Sequence, residues 1–336
     1  MSVALQTLDV VYSYSTKTGI GSSTVYAQPQ HIPFDRNFTF NLKRTSQTHD
    51  VAINRTGVVA SVPSDAYYEI KGKMPLLAGI GTTVETAAGK LLRCSGFKGP
   101  DTIGVTNTYT FSPLESGNSI NLVAYTGKVG VGTATTNNAL ISDAGSVVFA
   151  PKMTFEHGKF GVIDFDGKGL ATALPYIGNY PDTTSVTLSD SKYPIALSTT
   201  ITINGQTYLA TKVDIDFGVE LALVKSMAEK YGYNTVMISN AKPVTFKASI
   251  MAADLSDDKN PFAMIDTAAP KEFELTYGTT SGTKVSITSG KTDSTINKKC
   301  QITDAVPGNS GGIKTLELTG IFIDNSIQVS IDNQSV

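Results

Sequence analysis

Two stretches of this 336-residue chain follow one plan. Residues 139–164 read ALISDAGSVVFAPKMTFEHGKFGVID, and residues 300–325 read CQITDAVPGNSGGIKTLELTGIFIDN. Each opens on Ile-x-Asp-Ala, at Asp143 or Asp304, which reads as a turn, and continues through a polar link containing glycine. Each then ends in an alternating strand that closes on Gly-Lys-Phe at Gly158 or Gly-Ile-Phe at Gly320. The Asp-to-Gly spacing is 15 residues in the first stretch and 16 in the second. A chain that carries one β-unit twice can close a ring with half as many subunits, which points to assembly rather than catalysis.

Length supports duplication, because 336 residues exceed the size at which a single core stops growing. Hydrophobic residues at 40% with 17% charged residues describe a folded chain, not a disordered one. The net charge of −2 leaves no basic stripe for gripping nucleic-acid phosphates. The opening MSVALQTLDVVYSYS has neither a cationic stretch nor an apolar one, so no secretory signal is expected. No apolar run reaches the roughly 18 residues that span a bilayer. Cys94 and Cys300 are too few for a disulfide framework and read as buried, reduced thiols of a protein made in a cytoplasm.

Residues 1–34 are weakly patterned and read as an N-terminal arm. From Phe38 the period is two, with Phe38, Phe40 and Leu42 on one face, and Tyr68, Ile70 and Gly72 continue as a strand. TTVETAAGKLLRCSGF places Val84, Ala87, Ala88, Leu91 and Leu92 at helical spacing. Thr82 or Thr83 would cap its start, and Gly96 would end it in the left-handed conformation. Strands at 109–111 and 120–125 are expected to pair as a hairpin around Glu115–Asn118. In the second half Thr211–Phe217 alternates, and VELALVKSMAEKYG shows helical spacing behind a strand-like start, so residues 219–231 stand open between helix and strand. Pro261 opens a short helix, and the strands 273–277 and 285–288 form a hairpin. The expected organisation is thus an arm (1–34), a first domain (35–173), a connector (174–199) and a second, similar domain (200–336).

No constellation carries catalytic or metal chemistry. Pro307-Gly308-Asn309-Ser310-Gly311-Gly312 resembles a serine-protease nucleophile loop, but that chemistry needs a histidine base with a carboxylate behind it. His31, His49 and His157 offer none; Asp50 beside His49 would point to the opposite face of a strand. The string falls where the first stretch has Gly145-Ser146, so a flexible turn is the simpler reading. Asp164-Phe165-Asp166-Gly167-Lys168-Gly169 opens like a calcium loop, but position 175 is Pro175 where a bidentate glutamate is required. It reads as a polar turn. No catalytic, cofactor-binding or metal-binding residues are assigned. What remains is polar strand faces, with Glu69 and Lys71 flanking Ile70, and Lys212, Asp214 and Asp216 alternating with Val213 and Ile215. Each is an ordinary solvated face or the mildly acidic lining of a channel that lets a polyanion pass.

The order of elements over residues 35–325 resembles the tail tube proteins of long-tailed bacteriophages. The likeness rests on YLATKVDIDFGVELALVKSMAEKYGYNTVMISNAKPV, on GGIKTLELTGIFIDN, and on MPLLAGIGTTVETAAGKLLRCSGF. That resemblance implies a mainly β fold, a sandwich or half-barrel with flanking helices, here as two tandem, similar domains. It implies a non-enzymatic virion protein, made in the host cytoplasm, whose homotrimeric rings stack into a tube (hexameric rings being the alternative). Its partners would be the tape measure protein in the lumen, tail terminator and tail tip proteins, and double-stranded DNA passing without specific binding. Glu69, Lys71, Lys212, Asp214 and Asp216 become the candidate lumen-facing residues, with the arm and the loops at 45–65 and 174–198 as ring-to-ring contacts. The alternatives are a distal or minor tail protein, a β-sandwich adhesin or binding module, and a serine hydrolase.

Overall fold

Period-two alternation dominates the chain, and strands dominate the structure. The computed structural model describes residues 9–13, 30–32, 34–35, 37–48, 61–76, 79–80, 85–113, 117–129, 138–179, 199–252, 255–256, 259–278, 284–289, 300–310 and 312–334. The first half forms β1 (Asp9–Ser13), β2 (Gln30–His31), β3 (Thr39–Thr48), β4 (Ser61–Pro75), β5 (Gly79–Ile80), α1 (Ala87–Arg93), β6 (Phe97–Lys98), β7 (Thr106–Phe111), β8 (Ile120–Val129), β9 (Asn138–Glu156), β10 (Val162–Ala171) and β11 (Tyr176–Asn179). The second half forms β12 (Thr199–Ile203), β13 (Gln206–Tyr208), β14 (Ala210–Asp216), β15 (Val219–Lys225), β16 (Tyr233–Ala241), β17 (Val244–Met251), α2 (Pro261–Thr267), β18 (Phe273–Tyr277), β19 (Val285–Ser289), β20 (Cys300–Ser310), β21 (Ile313–Phe322) and β22 (Gln328–Gln334). The fold is mainly β, with few flanking helices.

The larger sheet contains one arrangement twice. Its strands run β3-β4-β10-β9 and then β14-β17-β21-β20, every neighbour antiparallel. In chain order each quartet lies first, second, fourth, third, with a short helix between its second and third strands. The junction between quartets is β9 against β14, where Lys152 faces Asp216 and Glu156 faces Lys212. The N-terminal part of β9 also carries β8, β1 and β2 on one side and β11 on the other. The second sheet runs β13-β12-β18-β19-β22-β7-β6. There β22 lies between β19 of the second half and β7 of the first, so both sheets cross the 174–199 region that the sequence marks as a connector.

One core cluster lies between the sheets. Two phenylalanine triads bridge them, Phe97–Phe111–Phe217 with centroids 5.0–5.5 Å apart and Phe246–Phe273–Phe322 over the same range. Such offset and edge-on pairs each add about 0.5–1.5 kcal/mol beyond their burial. Helix α1 buries Ala87, Ala88, Leu91 and Leu92. Its cap is Thr86, whose hydroxyl accepts from the Gly89 N–H at 3.0 Å, not Thr82 or Thr83. Gly96, at φ +88°, ends that region in the left-handed conformation expected of it. Helix α2 starts at Pro261 behind Asn260, whose side chain accepts from the Phe262 N–H.

Several local expectations are corrected. The two Ile-x-Asp-Ala segments are not turns; Asp143 lies inside β9 and Asp304 inside β20. The repeated hairpins are β9–β10 and β20–β21, so Gly158 sits in a turn at φ +74° whereas Gly320 lies within β21. Gly145-Ser146 is an irregularity within β9, where Ser146 reaches φ +49° and the ladder with β10 shifts register. The strands at 109–111 and 120–125 do not pair, because β7 belongs to the smaller sheet and β8 to the larger. Residues 219–225 are strand β15, paired with β16; a hairpin partly covered on both sides blurs the alternation that would have marked it. Asp164–Gly169 is not a turn but the middle of β10. Part of the expected arm is sheet, since β1 and β2 extend the larger one; residues 1–8, 14–29, 49–60 and 180–198 lie outside the described residues.

Candidate functional site

Alternation gives the larger sheet a core face and an outward face. Along β4, Tyr68, Ile70 and Met74 are buried while Glu69, Lys71 and Lys73 point the other way. Along β10, Ile163 and Phe165 are buried, opposite Asp164, Asp166 and Lys168. On β9, β14 and β17 the outward residues are Lys152 and Glu156, then Lys212, Asp214 and Asp216, then Lys247. The five residues picked out from the sequence, Glu69, Lys71, Lys212, Asp214 and Asp216, therefore share one face of one sheet.

Strand register sets the charges of this face in opposition. Across β4 and β10, Lys73 faces Asp164, Lys71 faces Asp166 and Glu69 faces Lys168. Asp164 also faces Lys152 on β9, and Lys152 faces Asp216 on β14. One row across four strands thus reads Lys73, Asp164, Lys152, Asp216. Further along, Glu156 faces Lys212 and Asp214 faces Lys247. No two like charges stand directly opposite one another in these ladders.

The side chains close these pairs. Lys73 lies 3.1 Å from Asp164, Lys152 2.8 Å from Asp216, Lys43 3.3 Å from Glu69 and Lys212 2.6 Å from Asp214. Lys71 and Asp166 are looser, at 3.9 Å. The Thr154 hydroxyl donates to Asp214 at 2.9 Å. The hydrogen bond to Asp216 and its charge raise the pKa of Lys152, and the bond to Asp214 raises that of Lys212. These pairs are well exposed, so each adds only a few tenths of a kcal/mol, about what a cross-strand pair contributes. Their consequence is electrostatic: the mildly acidic face expected from Asp214, Asp216 and Glu69 is instead a balanced one.

The β15–β16 hairpin folds over one end of this face. Gly218, at φ +63°, turns the chain out of β14; a Cβ there would meet the Lys242 carbonyl oxygen at 2.8 Å. The Lys168 ammonium donates to the Leu221 carbonyl at 3.0 Å, and the Ala66 N–H donates to the Tyr231 carbonyl at 3.0 Å. Tyr233 sets its ring edge-on to Tyr67 at 5.8 Å, and Lys225 reaches Asp65 at 3.1 Å. Met227 stands fully exposed at the turn of the hairpin.

The sequence reading missed Lys73, Lys152, Asp164, Asp166, Lys168 and Lys247. The signal was present in VIDFDGKGLA, where charge alternates with Ile163, Phe165 and Gly167, but its aspartates were read as a loop.

Reactive groups do not converge on this face. Pro307–Ser310 closes β20, His157 is an exposed turn residue, and His49 lies outside the described residues. Burial pushes the Cys94 thiol far up and the Cys300 thiol up to about 12, which keeps both protonated and weakly nucleophilic at neutral pH. Among the described residues no group of three or more His, Cys, Asp or Glu side chains is placed to hold a metal. No helix among them is long and apolar enough to cross a membrane. No protein-family model matches the chain, and no curated protein matches its sequence.

Proposed function

We propose that this chain is a structural virion protein, the major tail tube subunit of a long-tailed bacteriophage. The observation that carries the reading is the sheet in which one four-strand arrangement occurs twice, β3-β4-β10-β9 and β14-β17-β21-β20. Its inner junction, β9 on β14, is an antiparallel edge pairing. The eight-strand run of the two quartets ends at β3 and β20; apart from a single bridge between Lys271 and Cys300 at the start of β20, no strand among the described residues pairs with the outer side of either. An open sheet edge pairs with another chain unless something blocks it. The edge β20 of one copy would join β3 of the next much as β9 joins β14 within a copy. Three copies would then place six similar quartets in a ring by closed cyclic symmetry.

Under this reading the charged face lines the lumen, and stacked rings conduct double-stranded DNA after release of the tape measure protein. The tail terminator and tail tip proteins would cap the tube, and the role is passive rather than catalytic. Electron microscopy of the purified chain is the test. Hollow tubes or rings with three-fold averages are expected, and strictly monomeric particles would sink the proposal. Val306→Lys puts a charge on the outer strand β20, where Val306 is already exposed, and should abolish rings while leaving the circular dichroism spectrum unchanged.

A further inference from the structure

The lysines of the charged face make it a potential phosphate binder. Lys71, Lys73, Lys152, Lys212 and Lys247 project from β4, β9, β14 and β17, four of the five neighbouring strands β4-β10-β9-β14-β17. Left alone, such an array would replace the counterions of a duplex and hold it. Each of these lysines is instead met by a carboxylate across a ladder or along its own strand: Asp166, Asp164, Asp216, Asp214 with Glu156, and again Asp214. Overall neutrality does not require this; lysines gathered in one patch and acids in another would give the same net charge. The strand register interleaves them.

We propose that the carboxylates of this face mask its lysines, so that a polyanionic duplex can lie against the sheet without being held. This inference rests on the tube reading for its biological setting, but the property belongs to the face of the single chain. The mask sits on both sides of the β9–β14 junction, so it extends unbroken from one half of the protein into the other. Removing acids while leaving lysines should turn an inert surface into a binder. Exchanging the members of a pair should change nothing, because the interleaving survives.

The test is fluorescence anisotropy of a labelled 40-base-pair duplex against the full chain at 50 and 200 mM salt. The unmodified protein should bind more weakly than about 10⁻⁴ M at 50 mM salt, the weak end of non-specific binding. Asp164→Asn, Asp166→Asn, Asp214→Asn and Asp216→Asn together free about four lysines. That variant should bind, and lose about a hundred-fold in affinity between the two salt concentrations. Tight binding by the unmodified chain overturns the proposal, as does a folded quadruple variant that fails to bind or binds without salt dependence. If the quadruple variant does not fold, Asp166→Asn with Asp214→Asn takes its place, with about half the salt slope expected and absence of any gain counting against the proposal. The exchange Lys71→Asp with Asp166→Lys should remain a non-binder; binding by it would remove pairing as the cause. Failure to form rings in the microscope would defeat the tube reading without altering any of these outcomes.

Discussion

Lys152 and Asp216 meet at 2.8 Å across the seam where the first four-strand quartet joins the second. They stand directly opposite on β9 and β14, and both side chains are about half exposed. The bond raises the pKa of Lys152, so its stabilising contribution is present below the ordinary lysine value and is lost as the pH climbs through the raised one. Lys152→Ala should therefore lower stability by no more than about 0.5 kcal/mol at pH 7, and the difference from the unmodified chain should vanish in denaturant titrations at strongly alkaline pH.

Asp143 behaves in the opposite sense. It is mostly buried in β9, its Oδ1 meets no hydrogen-bond donor, and burial raises its pKa against an opposing contribution from Thr172. A raised carboxyl pKa means that the folded state binds its proton more readily than the unfolded one. The penalty is thus present above the folded value and disappears as the pH falls toward the ordinary carboxylate range. Asp143→Asn should raise the melting temperature at pH 7, by an amount equivalent to about 1 kcal/mol, and leave it nearly unchanged near pH 3.5.

Gly89 is required by a neighbour. A Cβ at this position would overlap the Tyr109 hydroxyl, which donates to Glu85 at 3.0 Å while Glu85 also holds Arg93 at 2.6 Å. Gly89→Ala should destabilise by about 1–3 kcal/mol despite the better helix propensity of alanine, because the ring and its carboxylate partner must move. Thermal melting followed by circular dichroism reads the outcome, and an increase in stability would contradict the packing described.

Phe246 anchors the second phenylalanine triad and covers Gly320, where any side chain would enter its ring. Phe246→Ala should cost about 3–5 kcal/mol, whereas Phe262→Ala, on the exposed side of α2, should stay within about 0.5 kcal/mol. Equal effects in chemical denaturation would refute the assignment of Phe246 to the core.

Much of the β architecture was legible because the period of two is a local signal. Phe38, Phe40 and Leu42, or Val213 and Ile215, declare their inward side without reference to anything distant. The same alternation set Glu69, Lys71, Lys212, Asp214 and Asp216 on one face, though nothing local showed that β4 and β14 belong to the same sheet. Pairing was the part that could not be read. The segments around Tyr109 and Leu122 looked like a hairpin because they are close in sequence, yet β7 takes β22 as its partner, more than two hundred residues away. The likeness of Asp143 to Asp304 was real in composition but out of step in the hairpins, because β9 is 19 residues long and β20 only 11. Hairpin β15–β16 stood open between helix and strand for another reason: Leu221 and Val224 of β15, with Tyr231 of the turn that follows, satisfy a helical period, and partial cover on both faces of β15 blurs its alternation.

The placing of β22 between β19 and β7 also sets how the molecule must fold. Thr108 and Ser330, 3.0 Å apart, close a loop of 222 residues. Loop closure grows so slowly with length that this adds little to the equilibrium, about 0.6 kcal/mol for each doubling. It weighs far more on the rate, since contacts between distant segments form only after most of the chain has been brought together. Ile327, Val329 and Ile331 are fully buried in that joint, so neither half can complete its second sheet in the absence of the other. The two halves, alike in plan, are therefore expected to melt in a single transition and to refold slowly, as one cooperative body rather than as two beads on a string.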